Sequence, residues 1–279
     1  MSGDYAHLQV ERDAGVAFAT ISNPPINLMG LALFSDLARF AASAADDETI
    51  RVVVLRSDDP DFFIAHFDVG AILGFPTDGP APRASRVEEN AFHAMCETYR
   101  TMPKPTIAEI GGRVGGGGSE LALSCDMRFG ALGKTVVNQP EVAIGILPGG
   151  SGTQRWPRLV GRGRALEAVL GCDDLDAATA ERWGYLNRAL PPGELRPFVT
   201  RLARRIAAFP PAAVAEAKAA VLEAEPGFDA GLIAEAHRFQ TLLRTPEAPA
   251  LMRAFLALGG QTREGESRLA DLCMEVAEG

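Results

Sequence analysis

The chain has 279 residues, 47% apolar and 23% charged, and a net charge of −9. That balance excludes a general nucleic-acid or anionic-membrane surface, because backbone phosphates need basic patches. It leaves room for a local basic spot that holds a phosphorylated cofactor. No run of about 18 apolar residues occurs, so no transmembrane helix is expected, and residues 1–10 lack the apolar segment of a secretory leader. Cys96, Cys125, Cys172 and Cys273 are scattered and form no C-x-x-C pair, which reads as reduced thiols rather than disulfides or zinc ligands. The expectation is a soluble cytoplasmic protein.

In chain order, Val16 to Ile21 reads as a strand closed by Asn23-Pro24-Pro25. Leu31 to Ala45 has helical spacing. Val52 to Leu55 is a continuous apolar run of the kind buried on both faces of a sheet. Gly74 to Ser85, rich in proline and glycine, reads as a mobile loop. Glu88 to Met102 reads as a helix, and Thr106 to Ile110 as a second buried strand. Thr135 to Val137 suggests a further short strand. Helical patterns then dominate at Arg164 to Leu170, Ala177 to Trp183, Leu195 to Ala208 and Ala212 to Ala224. Alternating strands and helices imply an α/β core. Dense turn chemistry at Pro191-Pro192-Gly193 marks the expected boundary between a core, 1–192, and a helical region, 193–279.

The stretch Gly111 to Leu123 carries six glycines in eight positions and feeds an apolar helical segment expected to open at Ser119. Glycine is entropically costly, so such a cluster implies close backbone approach. A glycine loop at a helix start leaves N–H groups aimed outward, suited to an anion or a developing oxyanion. Glu120 lies about one turn inside that mouth. Glu141 follows the last short strand and precedes a second glycine-rich turn, Gly145 to Gly152. Two carboxylates in one pocket can split their pKa values into donor and acceptor. Against this, Glu120 also suits a dipole-favoured acid at a helix start, and Glu141 a solvated loop acid.

Rival motifs fit less well. No Lys follows the glycines, so a phosphate-binding P-loop fails. A dinucleotide fingerprint lacks its acid after a following strand. Neither Ser119 nor Ser151 stands in G-x-S-x-G. His7, His66, His93 and His237 lack metal spacing. His7 lies near an expected loose terminus, His93 and His237 suit satisfied or surface positions in helices, and His66 occupies a turn of interest, Ala65-His66-Phe67-Asp68.

Several segments in order resemble the crotonase superfamily, the enoyl-CoA hydratase/isomerase family. They are Asn23-Pro24-Pro25-Ile26-Asn27, Arg51 to Leu55, Ala65 to Asp68, Pro103 to Ala108, Gly115 to Asp126, Pro140 to Gly145 and Pro148 to Gly161. The resemblance covers about residues 10 to 220. It implies a spiral of ββα units followed by a helical C-terminal region that packs as a homotrimer or a dimer of trimers. It implies an acyl-CoA thioester substrate, no separate cofactor and no metal. By position, Phe67 and Gly117 would supply oxyanion-hole N–H groups. Ala65, His66, Asp68, Val69, Gly116 and Asn27 would contact the CoA or acyl group, with the Ala65 carbonyl toward the adenine. Glu120 would orient water and Glu141 would donate the Cα proton, which favours hydration. Isomerisation, hydrolysis of an unusual acyl-CoA, or a non-catalytic RNA-binding role remain alternatives.

Two departures stand out. His66 replaces a small glycine and Phe67 a small residue. The basic cluster expected after Ala254-Phe255 is replaced by Leu256-Ala257-Leu258-Gly259-Gly260. Residues 261–279 lie outside the resemblance.

Overall fold

The computed structural model describes residues 5–80, 82, 86–225 and 227–278. The strands are β1 (Leu8–Asp13), β2 (Val16–Ile21), β3 (Val52–Ser57), β4 (Phe62–Ile64), β5 (Thr106–Ile110), β6 (Arg113–Gly115), β7 (Met127–Ala131), β8 (Val136–Asn138), β9 (Leu175–Asp176) and β10 (Arg188–Leu190). The helices are α1 (Leu31–Asp46), α2 (Val69–Leu73), α3 (Ala91–Thr101), α4 (Gly116–Ser124), α5 (Gly152–Val160), α6 (Arg162–Gly171) and α7 (Ala177–Trp183). They continue with α8 (Pro192–Ala207), α9 (Pro211–Leu222), α10 (Phe228–Leu242), α11 (Glu247–Ala257), α12 (Arg263–Ser267) and α13 (Leu269–Glu278).

Among the described residues the strands form a six-stranded sheet, β1-β2-β3-β5-β7-β10, and a four-stranded sheet, β4-β6-β8-β9. β3, β5 and β7 run parallel in the first sheet, and β4, β6 and β8 run parallel in the second. Each strand of the first set is followed in sequence by one of the second, and the chain then returns through helix. That repetition is the spiral of ββα units. Its second sheet brings the ends of β4, β6 and β8 side by side.

The large sheet is covered on both faces, as its apolar strands require. Alternation sorts the side chains. Ala17, Ala19, Ile21, Val53 and Leu55 face a core shared with Leu33, Leu37 and Phe40 of α1. Val16, Phe18, Val52 and Val54 face Leu195, Val199 and Ala203 of α8. These α8 positions recur at four-residue spacing, and Pro192 opens the helix where a missing N–H costs nothing. Leu37 is fully buried, so Leu37→Ala is expected to cost about 2–5 kcal/mol, read as a shift of the denaturant midpoint.

The structure departs from the sequence reading in four places. First, the helix expected from Ser119 begins at Gly116, and Arg113–Gly115 forms a strand. The glycines lie inside these elements because their neighbours leave no room for side chains. A Cβ at Gly115 would stand 2.5 Å from the Ala65 carbonyl oxygen, and one at Gly118 2.7 Å from Ile64. Second, the N-terminal segment is tied down: β1 pairs antiparallel with β2, and the His7 N–H donates to Asp36 at 2.8 Å. Third, α8, which opens at the turn of Pro191–Gly193, packs on the core sheet. Fourth, residues 261–278 are built into the fold through α12 and α13, and Leu269, Leu272, Cys273 and Val276 bury against α11 and its neighbours. Of the expected mobile loop, residues 81 and 83–85 lie outside the described residues.

Candidate active site

Phe67, Gly117 and Glu141 each lie two or three residues beyond the end of β4, β6 or β8. Parallel sheets gather functional groups at such carboxyl ends. Together with Glu120 they line one cavity of about 510 Å³. Its other walls are largely apolar: Phe34, Phe75, Phe92 and Phe239, with Leu31, Ile72 and Ile146. Phe67 packs edge-on against Phe34 and Phe92 at ring distances of 6.4 and 6.0 Å.

The two expected oxyanion donors are neighbours. A Cβ at Gly117 would stand 3.2 Å from the Phe67 Cβ. Gly117 is the second residue of α4, so its N–H belongs to the first turn, which has no intrahelical acceptor. The peptides around Phe67 are anchored differently. Met29 N–H donates to the His66 carbonyl at 2.9 Å, and Asp68 N–H to the Met29 carbonyl at 3.1 Å. Neither bond uses the Phe67 N–H, which has no hydrogen-bond acceptor among the described residues.

Glu120 reaches from α4 to the glycine turn after Pro148. Its Oε1 accepts the Gly150 and Gly152 N–H groups at 2.8 and 2.7 Å, leaving Oε2 for the cavity. Burial, then the charges of Glu141 and Glu235, push its carboxyl well above the usual range, against the pull of the two amides. Glu141 opens a 3-10 turn, Glu141–Ile144. Its Oε2 accepts the Gln139 amide at 3.0 Å, and Trp156 Nε1 donates to Gln139 Oε1 at 3.3 Å. The indole thereby decides which way the amide points. Burial pushes Glu141 up to about 7, against its own N–H, Gln139 and the charge of His66. Buried in one cavity, the two carboxyls disfavour each other's charge.

Two residues of this site carry no signal in the sequence. Glu235 of α10 accepts the Ser151 N–H at 2.6 Å and bonds Thr153 Oγ1. His93 Nε2 lies 2.9 Å from the Gly149 carbonyl and 3.2 Å from Glu235. The turn at 149–153 is thus gripped alternately by Glu120 and Glu235. Ser151 holds a left-handed conformation there, φ 97°. Only a contact 84 residues away in sequence defines that role for Glu235.

The remaining expected site residues lie elsewhere. Asn27 is buried, and its side chain bonds Asn23 N–H, Ser57 and the carbonyls of Phe62 and Phe63. It clamps loops rather than lining the cavity. Ala65 is buried, with its carbonyl oxygen against Gly115. Asp68 caps α2 through Gly70 and Ala71, and Val69 is buried beneath it. Gly116, at φ +44°, is wedged between His66 and Glu141, where a Cβ would come within 2.8 and 2.9 Å of them. His66 does not reach the large cavity. It is buried between the Phe67 carbonyl and Glu266. Among the described residues no cluster of His, Cys, Asp and Glu could hold a metal ion.

Phe67 and Gly117 stand side by side with two buried carboxyls in an apolar pocket on a ββα spiral, a setting in which backbone N–H groups and acids can act on a carbonyl substrate. The sequence profile of the enoyl-CoA hydratase/isomerase family matches residues 11–255, and the chain belongs to that family. A crotonyl-CoA hydratase of Syntrophomonas wolfei subsp. wolfei is 31% identical over 258 residues, covering 90% of this chain and 95% of that protein. A crystal structure from Streptomyces avermitilis, described provisionally as an enoyl-CoA hydratase, is 37% identical with a TM-score of 0.88, covering 99% of this chain and 100% of that one. An enoyl-CoA hydratase of Bacillus anthracis is 26% identical with a TM-score of 0.71, covering 90% and 96%.

Proposed function

We propose that this enzyme adds water across the 2,3-double bond of a 2-enoyl-CoA thioester. The observation that carries the reading is the convergence of Glu120, Glu141, Phe67 and Gly117 on one apolar cavity. The thioester oxygen accepts the Phe67 and Gly117 N–H groups. Water, held between the carboxyls, loses a proton to the ionised one as its oxygen bonds Cβ. The π-electrons move to Cα and onto the thioester oxygen, where the two N–H groups stabilise the enolate. The protonated carboxyl then delivers a proton to Cα. The family resemblance assigns the water to Glu120 and Cα to Glu141. The substrate brings CoA with it, and no separate cofactor enters the scheme.

The test is loss of enoyl-thioester ultraviolet absorbance when the protein meets crotonyl-CoA. Persistence of the absorbance with the thioester bound would reject hydration and turn the reading toward isomerisation or hydrolysis. The phenylalanine walls imply a preference for longer acyl groups. Each added methylene that the cavity buries is worth about 0.8 kcal/mol, or about fourfold in kcat/KM. Octenoyl-CoA is therefore expected to exceed crotonyl-CoA in kcat/KM; equal values would show that the acyl tail leaves the pocket.

The reading includes a cytoplasmic homotrimer or dimer of trimers, with the helices of residues 193–279 contributing to the subunit contacts. In support, α9 buries none of its residues and Val221 is 72% exposed, while Leu159, Leu166 and Leu170 are also exposed. A monomeric mass by light scattering would sink it. The four cysteines are free and buried, which suits a reducing compartment. No described helix is long and apolar enough to cross a membrane.

A further inference from the structure

We propose that Glu266 is a positioning residue for the active site: through His66 it braces the turn that presents the Phe67 N–H and supplies the positive charge that faces Glu141. The inference rests on the hydration reading for its catalytic meaning, but its structural core stands apart from it.

The geometry begins at the turn. Phe67 N–H belongs to a peptide whose carbonyl, that of His66, accepts the Met29 N–H at 2.9 Å. The next carbonyl, that of Phe67, lies 2.7 Å from His66 Nδ1. The donor is therefore flanked by two pinned peptides, one held from the α1 side and one by the imidazole. The other ring nitrogen, Nε2, lies 2.9 Å from Glu266 Oε1. A carbonyl and a carboxylate both accept hydrogen bonds, so the ring satisfies both only as the doubly protonated imidazolium.

The tail is shaped to make this contact. Glu266 Oε1 also accepts the Gln261 N–H at 2.7 Å, and Gln261 Nε2 donates to Asp68 at 2.8 Å. Two tail residues thus grip both sides of Phe67. Phe255 of α11 closes over the imidazole edge-on at 5.7 Å. Gly265 lets the chain fold tightly enough, since a Cβ there would stand 2.2 Å from the Gly259 carbonyl oxygen.

The charges agree. Burial alone would lower the His66 pKa, but the charge and hydrogen bond of Glu266, the Phe67 carbonyl and Glu141 raise it to about 9. Burial pushes Glu266 up, and His66, the Gln261 N–H and Arg113 bring it below its usual value. Arg113 is itself paired with Asp174. The nearby thiols Cys172 and Cys273 are pushed up by burial and remain neutral. The imidazolium is therefore the cation that opposes the burial of Glu141.

The experiment compares wild type, Glu266→Gln and the neutral double variant His66→Gln/Glu266→Gln, with the pH profile of crotonyl-CoA hydration and imidazole NMR titrations. In wild type, His66 is expected to stay protonated beyond pH 8. In Glu266→Gln its pKa falls toward the ordinary value of 6.5. In both variants the kcat/KM profile moves to higher pH by about 1 unit, because the carboxyl pair loses a neighbouring cation. An unmoved profile in a folded variant, even with a lower Tm, overturns the proposal. So does a wild-type His66 that titrates at or below 6.5. Should Glu266→Gln fail to fold, the double variant, which removes both charges together, decides. If wild type does not hydrate crotonyl-CoA, the hydration reading fails, while the imidazole titration still tests the pair.

Discussion

Glu141→Gln is expected to lower kcat for crotonyl-CoA hydration by about 10²–10⁴-fold, the range for loss of a general acid or base, with KM little changed. Glutamine keeps the shape and can still meet Gln139, but it carries no transferable proton. Glu120→Gln is expected to fall in the same range. It is also expected to loosen the turn at 149–152, since an amide oxygen is a weaker partner than a carboxylate for the Gly150 and Gly152 N–H groups. Residues that act as a unit are non-additive. The double variant should therefore lose little more than either single one. Steady-state kinetics decide: a loss under tenfold, or one confined to KM, would remove Glu141 from the proton path.

The second large effect concerns the oxyanion. Gly117→Pro deletes one backbone N–H in the first turn of α4. Removing a donor of this kind typically costs about 10²–10³ in kcat. Gly117→Ala keeps the N–H but places a Cβ 3.2 Å from the Phe67 Cβ and 3.3 Å from the Phe92 ring, so it is expected to lose far less. Equal losses in the two variants, both with an unchanged Tm, would mean that the N–H of Gly117 does not touch the developing charge.

Legibility in the sequence followed the strength of local pattern. The strands Val16–Ile21 and Thr106–Ile110 and the helix Ala177–Trp183 stand where periodicity places them, because their apolar spacing is unambiguous. β1 escaped because it is an edge strand with polar residues on its open side, and only Leu8 is buried. The glycine stretch announced close approach but not its form. Ile64 and Ala65, which forbid side chains at Gly118 and Gly115, come from another turn of the spiral. Of the site, the motif-bearing pair Glu120 and Glu141 could be singled out, because glycine-rich turns flank both. Glu235, His93 and Glu266 could not. Their partners lie 84, 142 and 200 residues away, and nothing local distinguishes them from ordinary helix residues. His66 reads as a departure from the family pattern, and only the structure supplies its compensation in the tail.

The placing of Phe67, Gly117 and Glu141 after three adjacent parallel strands gives the site a fixed gauge. Neighbouring strands lie about 4.7–4.9 Å apart, so the sheet itself spaces the three groups proposed to act on a bound thioester. Each group is carried on its own rung. In the proposed reaction the rungs at Phe67 and Gly117 hold charge on oxygen, and the rung at Glu141 serves the proton transfer at Cα. A scaffold of this kind can change its reaction by altering one strand end while keeping the enolate-forming half of the chemistry intact.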